Sequence, residues 1–270
     1  MTEEQVTFDG GGKRLLGMLH IPEGEVKAGV VFCNAFGEER KCSHRVLVLL
    51  AREMARRGWG VLRFDYMGCG DSAGELRDAT IAIFEADIRA AVPFIKARLS
   101  PPAVGLLGLR LGGAMAGRVA GALGGVDPLI LIQPVPQGRS AFAGDLKRKM
   151  IREMMMKGKS GGKRADIVKQ LEGGEGEIDL DGFVITGALY KQLIEIDLNK
   201  QIGAFSGRVL IVQAAPNATV RPEMESLREA YEKIGAAATV APLVLPPFWS
   251  RIEFLECSEL IACVCDWLGG

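Results

Sequence analysis

The run Gly108-Leu109-Arg110-Leu111-Gly112 places an arginine between two glycines at what reads as a strand-to-helix junction. Glycines at that spacing permit a sharp turn that presents the central side chain at the helix N-terminus. Arginine is permanently charged and cannot serve as a nucleophile there. Its charge adds to the partial positive charge of the helix end, and its planar fork suits a carboxylate or a phosphate. Arg110 and Leu111 are therefore candidate ligand-binding residues. Glu38 and Glu39, expected on the loop beside this turn, offer a different use of the arginine, an ion pair that closes the site. The two uses are compatible, because a ligand carboxylate can compete with a glutamate.

A second chemistry would use sulfur. Cys69 lies in the turn Gly68-Cys69-Gly70, and Cys42 lies two residues from His44. A thiolate close to Arg110 or to a helix N-terminus would have a lowered pKa. With His44 as base and Glu38 nearby, Cys69 would give a non-standard catalytic centre. The plainer reading makes Cys69 a turn filler and puts His44 at the exposed start of a helix, among Arg40, Lys41 and Arg45. Asn34, Ala35 and Phe36 form a loop after a strand, Gln133 ends another strand, and Trp249 either roofs the pocket or packs in the core. All five are candidate ligand contacts. Ser72 and Asp65 read as structural hydrogen-bonding residues, and His20 is assigned no role.

The elements that must position these residues alternate between strand and helix. Val6 to Phe8 and Arg14 to Ile21 flank a glycine turn and suggest a hairpin. Apolar runs at Gly29 to Asn34, Gly60 to Phe64, Val104 to Leu109, Pro128 to Gln133, Arg208 to Ala214 and Thr239 to Leu245 read as buried parallel strands. Helical spacing runs over Ser43 to Arg57, Thr80 to Leu99, Leu111 to Leu123, Pro222 to Ile234 and Arg251 to Leu268. The alternation predicts an α/β fold, a mostly parallel sheet flanked by helices. Residues 136–206 differ: they are charged and methionine-bearing, with glycine breaks at Gly161-Gly162 and Gly173-Gly174 and a hairpin pattern around Asp181-Gly182. They read as a cap inserted into a core of residues 1–135 and 207–270. Met150, Met154, Met155 and Met156 would line an adaptable apolar tunnel or pack on the domain, and Lys147, Arg148, Lys149 and Arg152 read as a solvated basic face.

The composition sets limits. With 270 residues and 48% hydrophobic residues the chain can bury a large core. Lys+Arg and Asp+Glu are both 33, so nothing in the charge calls for nucleic acid. No signal peptide or transmembrane run is read, which gives a cytoplasmic expectation with reduced cysteines. No cysteine or histidine spacing suits a metal, and no cofactor is expected. A small-molecule ligand is the expected partner, with a protein partner or homodimer as further options.

The residues around Arg110 resemble the G-x-S-x-G elbow of α/β hydrolases. The loop Asp65 to Gly74 resembles their D-x-x-G-x-G-x-S-x-G segment, and Asn34-Ala35-Phe36-Gly37 falls where their oxyanion loop lies. The resemblance implies the α/β-hydrolase fold and a serine, acid and histidine triad. Arg110 stands at the serine, Asn217 at the acid, and the segment Pro247-Phe248-Trp249 has no histidine. The chain has two histidines, His20 and His44, both far upstream. Gly108 to Gly112, Gln133-Pro134-Val135 and Pro247-Phe248-Trp249 are more closely similar to exosortase A system-associated hydrolases of type 2. That resemblance implies a role in bacterial exopolysaccharide export and makes arginine in the elbow a subfamily trait. The reading that follows is a hydrolase-fold protein with a degenerate triad, binding a small acyl or anionic ligand or a partner. The alternative is an active hydrolase or acyltransferase on esters or thioesters, with a centre such as Cys69 and His44.

Overall fold

Alternating burial along β1 (Thr2–Asp9) and β2 (Arg14–Ile21) lays one face of an antiparallel hairpin on the core, with Glu3 opposite His20. The structure, a computed structural model, describes residues 1–157, 164–174, 176–253 and 255–269. From the hairpin the chain runs through β3 (Ala28–Cys33), α1 (Glu38–Arg56), β4 (Trp59–Phe64), α2 (Ile81–Leu99), β5 (Val104–Leu109), α3 (Leu111–Leu123) and β6 (Val126–Ile132). An insertion follows: α4 (Gly138–Lys157), α5 (Arg164–Gly173), β7 (Glu177–Leu180), β8 (Phe183–Thr186), α6 (Gly187–Ile194) and α7 (Leu198–Gln201). The alternation then resumes with β9 (Arg208–Ala215), α8 (Pro222–Lys233), β10 (Ala237–Val244), a 3-10 turn over Phe248–Ser250 and α9 (Ser258–Gly269).

The main sheet has eight strands in the order β1-β2-β4-β3-β5-β6-β9-β10. β1, β2 and β4 pair antiparallel in turn, and from β4 to β10 every pairing is parallel. Every residue of β3 and β5 is buried, as both faces are covered. Leu50 and Met54 of α1 pack on one face with Leu260 and Val264 of α9. Phe84 and Ile88 of α2, Met115 of α3 and Leu227 of α8 pack on the other. Phe142, Leu146, Ile185 and Leu189 of the insertion join this second cluster, so the insertion shares the core of the α2–α3 face. β4 lies on one side of β3 and β5 on the other, so the connections diverge there. That divergence opens a crevice beyond the carboxyl ends of β3 and β5.

Several elements differ from the sequence reading. α1 begins at Glu38 rather than Ser43, with Glu38 and Glu39 in its first turn, where the helix dipole favours negative charge. α9 begins at Ser258 rather than Arg251, because Cys257 has φ 45° and a residue in the left-handed region cannot continue a right-handed helix. Residue 254, inside that expected helix, and the Gly161-Gly162 break both lie outside the described residues. Met150 packs against the core, whereas Met154, Met155 and Met156 are 63%, 83% and 77% exposed and line no tunnel. The basic face is solvated at Lys147, Arg148 and Arg152, as read, and two of these residues also border a cavity. Ala141, Asp145, Arg148 and Arg152 recur at helical spacing and line a cavity, and the last three methionines lie beyond that stripe. No described helix is long and apolar enough to cross a membrane.

Candidate functional site

β5 ends at Leu109 and α3 begins at Leu111, so Arg110 alone makes the turn between them, with φ 55° and ψ −118°. L-residues avoid this conformation and glycine favours it. Three backbone hydrogen bonds hold it. Arg110 N–H donates to the Ile132 carbonyl at 3.0 Å, and the Arg110 carbonyl accepts from Ala114 and Val135, each at 3.2 Å. The flanking glycines are required by close backbone approach. A Cβ on Gly108 would collide with the backbone of Gly112 and Gly113, and a Cβ on Gly112 with the carbonyls of Cys33 and Asn34. The loop after β3 is thereby pressed against the start of α3.

The side chain of Arg110 leaves this turn into the crevice. Its Nε donates to Glu39 Oε1 at 3.0 Å and its Nη1 to the Gln133 carbonyl at 3.3 Å. Its guanidinium carbon lies 5.3 Å from the centre of the Trp249 ring, within cation–π range. The pair is partly buried, with the Arg110 and Glu39 side chains 18% and 21% exposed. A guanidinium has five N–H donors. Among the described residues two of the five are used, which leaves three without a protein acceptor.

A cavity of about 150 Å³ opens above Arg110, between the sheet edge and the insertion. Phe36, Phe142, Phe183 and Trp249 give it aromatic walls, with Leu111, Val135, Ile185 and Leu193 filling between them. Four carboxylates (Glu38, Glu39, Asp145, Asp181) and three arginines (Arg110, Arg148, Arg152) also line it. Arg148 pairs with Asp145, and Arg152 bridges Asp181 at 2.7 Å and Glu38 at 3.5 Å. Burial pushes the Glu39 carboxyl above the usual carboxylate range, against the pull of Arg110. Burial pushes Asp145 up as well, against Arg148 and Arg110.

Of the residues singled out in the sequence, Phe36, Glu38, Glu39, Arg110, Leu111 and Trp249 meet at this cavity. Asn34, Ala35 and Gln133 do not line it. Asn34 Nδ2 donates to the Phe64 carbonyl at 2.6 Å, Ala35 is buried among the residues under α1, and Gln133 Oε1 accepts from Ala214 N–H at 2.9 Å. Only the backbone carbonyl of Gln133 reaches Arg110. Cys69 and His44 lie away from the cavity, beside the Arg40–Asp65 ion pair, and among the described residues no hydrogen bond joins them to each other or to Glu38. Burial pushes the Cys69 thiol up to about 12, so it stays protonated at neutral pH. Burial and then Arg63 and Arg40 lower the pKa of His44. Ser72 has the structural role expected of it, donating to the Asp65 carbonyl at 2.5 Å and accepting from Leu16 N–H at 2.9 Å. Asn217 Oδ1 accepts from Thr219 N–H at 3.2 Å, in the loop after β9 and outside the cavity. Among the described residues no group of three or more His, Cys, Asp or Glu is placed to hold a metal. The residues that the sequence reading missed are Phe142, Asp145 and Phe183. The first two sit on the α4 stripe, whose helical spacing was the available signal.

The sequence matches no protein-family model and no curated protein. Solved structures align over nearly the whole chain. Est1E from Butyrivibrio proteoclasticus with ferulic acid bound is 18% identical, covers 97% of each chain and has a TM-score of 0.70. The esterase domain of a Rhodothermus marinus protein is 23% identical, over 100% of this chain and 97% of that one, with a TM-score of 0.64. An alpha-beta serine hydrolase homologue from Coxiella burnetii is 18% identical, over 99% and 98%, with a TM-score of 0.61. The chain has the α/β-hydrolase fold.

Proposed function

We propose that this chain handles a small acyl compound in the cavity above Arg110, holding the polar head of the molecule on the guanidinium and its apolar body between Phe36, Phe142, Phe183 and Trp249. One observation carries the reading. A charged side chain is kept in a backbone conformation suited to glycine, at the elbow of a hydrolase fold, with three N–H donors left over. Strain of this kind costs about 1–3 kcal/mol and persists where the surroundings impose it, often at functional sites. Est1E, a structural neighbour, is described with ferulic acid bound, and ferulic acid is an aromatic carboxylic acid. Titration calorimetry with benzoate and hexanoate tests the reading. Wild type should bind, and Arg110→Gln should bind at least tenfold more weakly. Equal affinities in the two proteins would remove Arg110 from the site.

A second reading, hydrolysis or acyl transfer on esters or thioesters, is favoured by the esterases among the structural neighbours. Glu39 and Asp145, both pushed toward the protonated form inside the cavity, are the groups best placed there to exchange a proton with bound substrate or water. The centre built on Cys69 and His44 has less physical support, since burial holds the thiol protonated. Turnover of p-nitrophenyl and thioester substrates by wild type, Cys69→Ala and Glu39→Gln separates these readings. Turnover lost only in Glu39→Gln places the chemistry in the cavity, and loss only in Cys69→Ala places it at the thiol. Arg110→Ser should show no new esterase activity, because Asn217 and Phe248 supply no relay. The resemblance to exosortase-associated hydrolases extends the proposal to acyl handling in exopolysaccharide export, from the cytoplasm. Unchanged exopolysaccharide in a strain lacking the protein would end that extension.

A further inference from the structure

Every arginine at the cavity already has a carboxylate partner. Arg110 holds Glu39, Arg148 holds Asp145, and Arg152 is shared by Asp181 and Glu38. The lining therefore carries one carboxylate more than it has guanidinium groups, four against three. A ligand carboxylate arriving at Arg110 would be the third acid around that one cation, after Glu39 and Asp145. With Arg110 and Glu39 only 18% and 21% exposed, that crowding favours the neutral form of one of the acids at this end of the cavity.

We propose that the cavity takes up a monocarboxylic acid together with one proton, the carboxylate binding at Arg110 and the proton passing from solvent to Glu39. The proposal rests on the acyl-binding reading above and adds to it the ligand class and a proton stoichiometry. The balance is simple. A ligand carboxylate and one proton enter, Glu39 becomes a neutral carboxylic acid, and no bond in the ligand breaks. Glu39 is the acceptor because it alone must share its cation with the ligand, whereas Asp145 keeps Arg148. Glu39 is faced by Arg110 from the start of α3 and by Asp145 and Arg148 from α4. On its own helix it adjoins Glu38, whose partner Arg152 is also drawn to Asp181 in the β7–β8 turn. Burial already favours its neutral form. A cavity of about 150 Å³ admits one six-membered ring or a chain of similar bulk, since an apolar cavity of about that volume in another protein holds benzene.

The test is titration calorimetry of benzoate and hexanoate between about pH 6 and pH 8. It uses two buffers of different ionisation enthalpy, neither containing carboxylate or phosphate. Wild type should take up about one proton per ligand, and Kd should rise about tenfold per pH unit above the pH at which free Glu39 titrates. Glu39→Gln should bind with no proton uptake and a flat pH profile, and Asp145→Asn should keep the uptake. Binding by wild type without proton uptake, or uptake that survives in Glu39→Gln, would overturn the inference and leave the binding reading standing. No binding to either protein at any pH would overturn both. The wild-type buffer comparison decides the stoichiometry even if a variant fails to fold.

Discussion

Arg110 carries two costs that a glycine in its place would not, a strained backbone and a charge drawn partly out of water. Its ion pair with Glu39 offsets part of the second. Substitutions separate the two. Arg110→Ala loses the pair and keeps most of the strain, so it should lower stability by about 1–3 kcal/mol. Arg110→Gly loses the pair but relaxes the turn, and should be about 1 kcal/mol more stable than Arg110→Ala. Urea denaturation of both variants checks this, and an alanine variant as stable as the glycine variant would remove strain from the account. At this scale the sequence was informative where spacing fixed geometry. Two glycines around Arg110 sufficed to place it. The choice between Glu38 and Glu39 was not legible, because it depends on where α1 begins and so on which of two adjacent side chains turns inward. Cys69 was legible as a nucleophile by type alone, and burial, which type does not encode, holds its thiol protonated.

The elements around the elbow are locked by contact between backbones. Gly112 meets the carbonyls of Cys33 and Asn34, and neither can retreat without moving a central strand. Gly112→Ala should therefore cost more than about 3 kcal/mol or prevent folding, beyond the range for overpacking against movable side chains. Gly173, at the end of α5, has open space around a built Cβ. Gly173→Ala should be neutral or gain up to about 1 kcal/mol. Thermal melts of the two variants side by side make the comparison, and similar losses would show that the elbow is not sterically fixed. The strands and helices of the sheet were readable because each buries a regular pattern. The cavity face of α4 was harder to read, because its stripe mixes Ala141 and Phe142 with Asp145, Arg148 and Arg152. Charged residues at helical spacing look like a solvated face until the partner carboxylates Glu38 and Asp181, distant in sequence, are brought beside them.

Across the whole molecule, the N-terminal hairpin joins the sheet by β2–β4 pairing, and a buried histidine sits at that seam. His20 Nε2 accepts from Arg63 Nε at 3.0 Å, and Nδ1 faces Glu3 at 3.1 Å. Burial, with Arg63 next, lowers its pKa from the ordinary 6.5 to about 4. The folded protein thus keeps His20 neutral while the unfolded chain binds a proton. The stabilisation is full above about pH 6.5, falls as the pH drops toward about 4, and then levels off. The total is about 3 kcal/mol by linkage. His20→Gln should lack that part of the acid sensitivity, and parallel urea curves for wild type and variant across this window would refute the assignment. None of this was legible from a histidine in a strand, because its causes, burial and then the Arg63 side chain of β4, arise only when the sheet packs.

Arg152 ties Glu38 at the start of α1 to Asp181 at the tip of the β7–β8 turn, and all three side chains are substantially exposed. Exposed pairs of this kind contribute about 0–1 kcal/mol and weaken with ionic strength. The clasp over the cavity is thus looser in brine than in dilute buffer, while the aromatic contact of Phe183 with Phe36 beneath it is indifferent to salt. On the proposed ligand-binding reading, opening of the clasp answers to salt while the aromatic contact does not. Raising sodium chloride from about 0.05 M to 0.5 M should quicken departure in stopped-flow measurements on wild type, and departure from Arg152→Gln should be fast throughout. If the cavity holds a ligand as proposed, its residence time shortens as ionic strength rises.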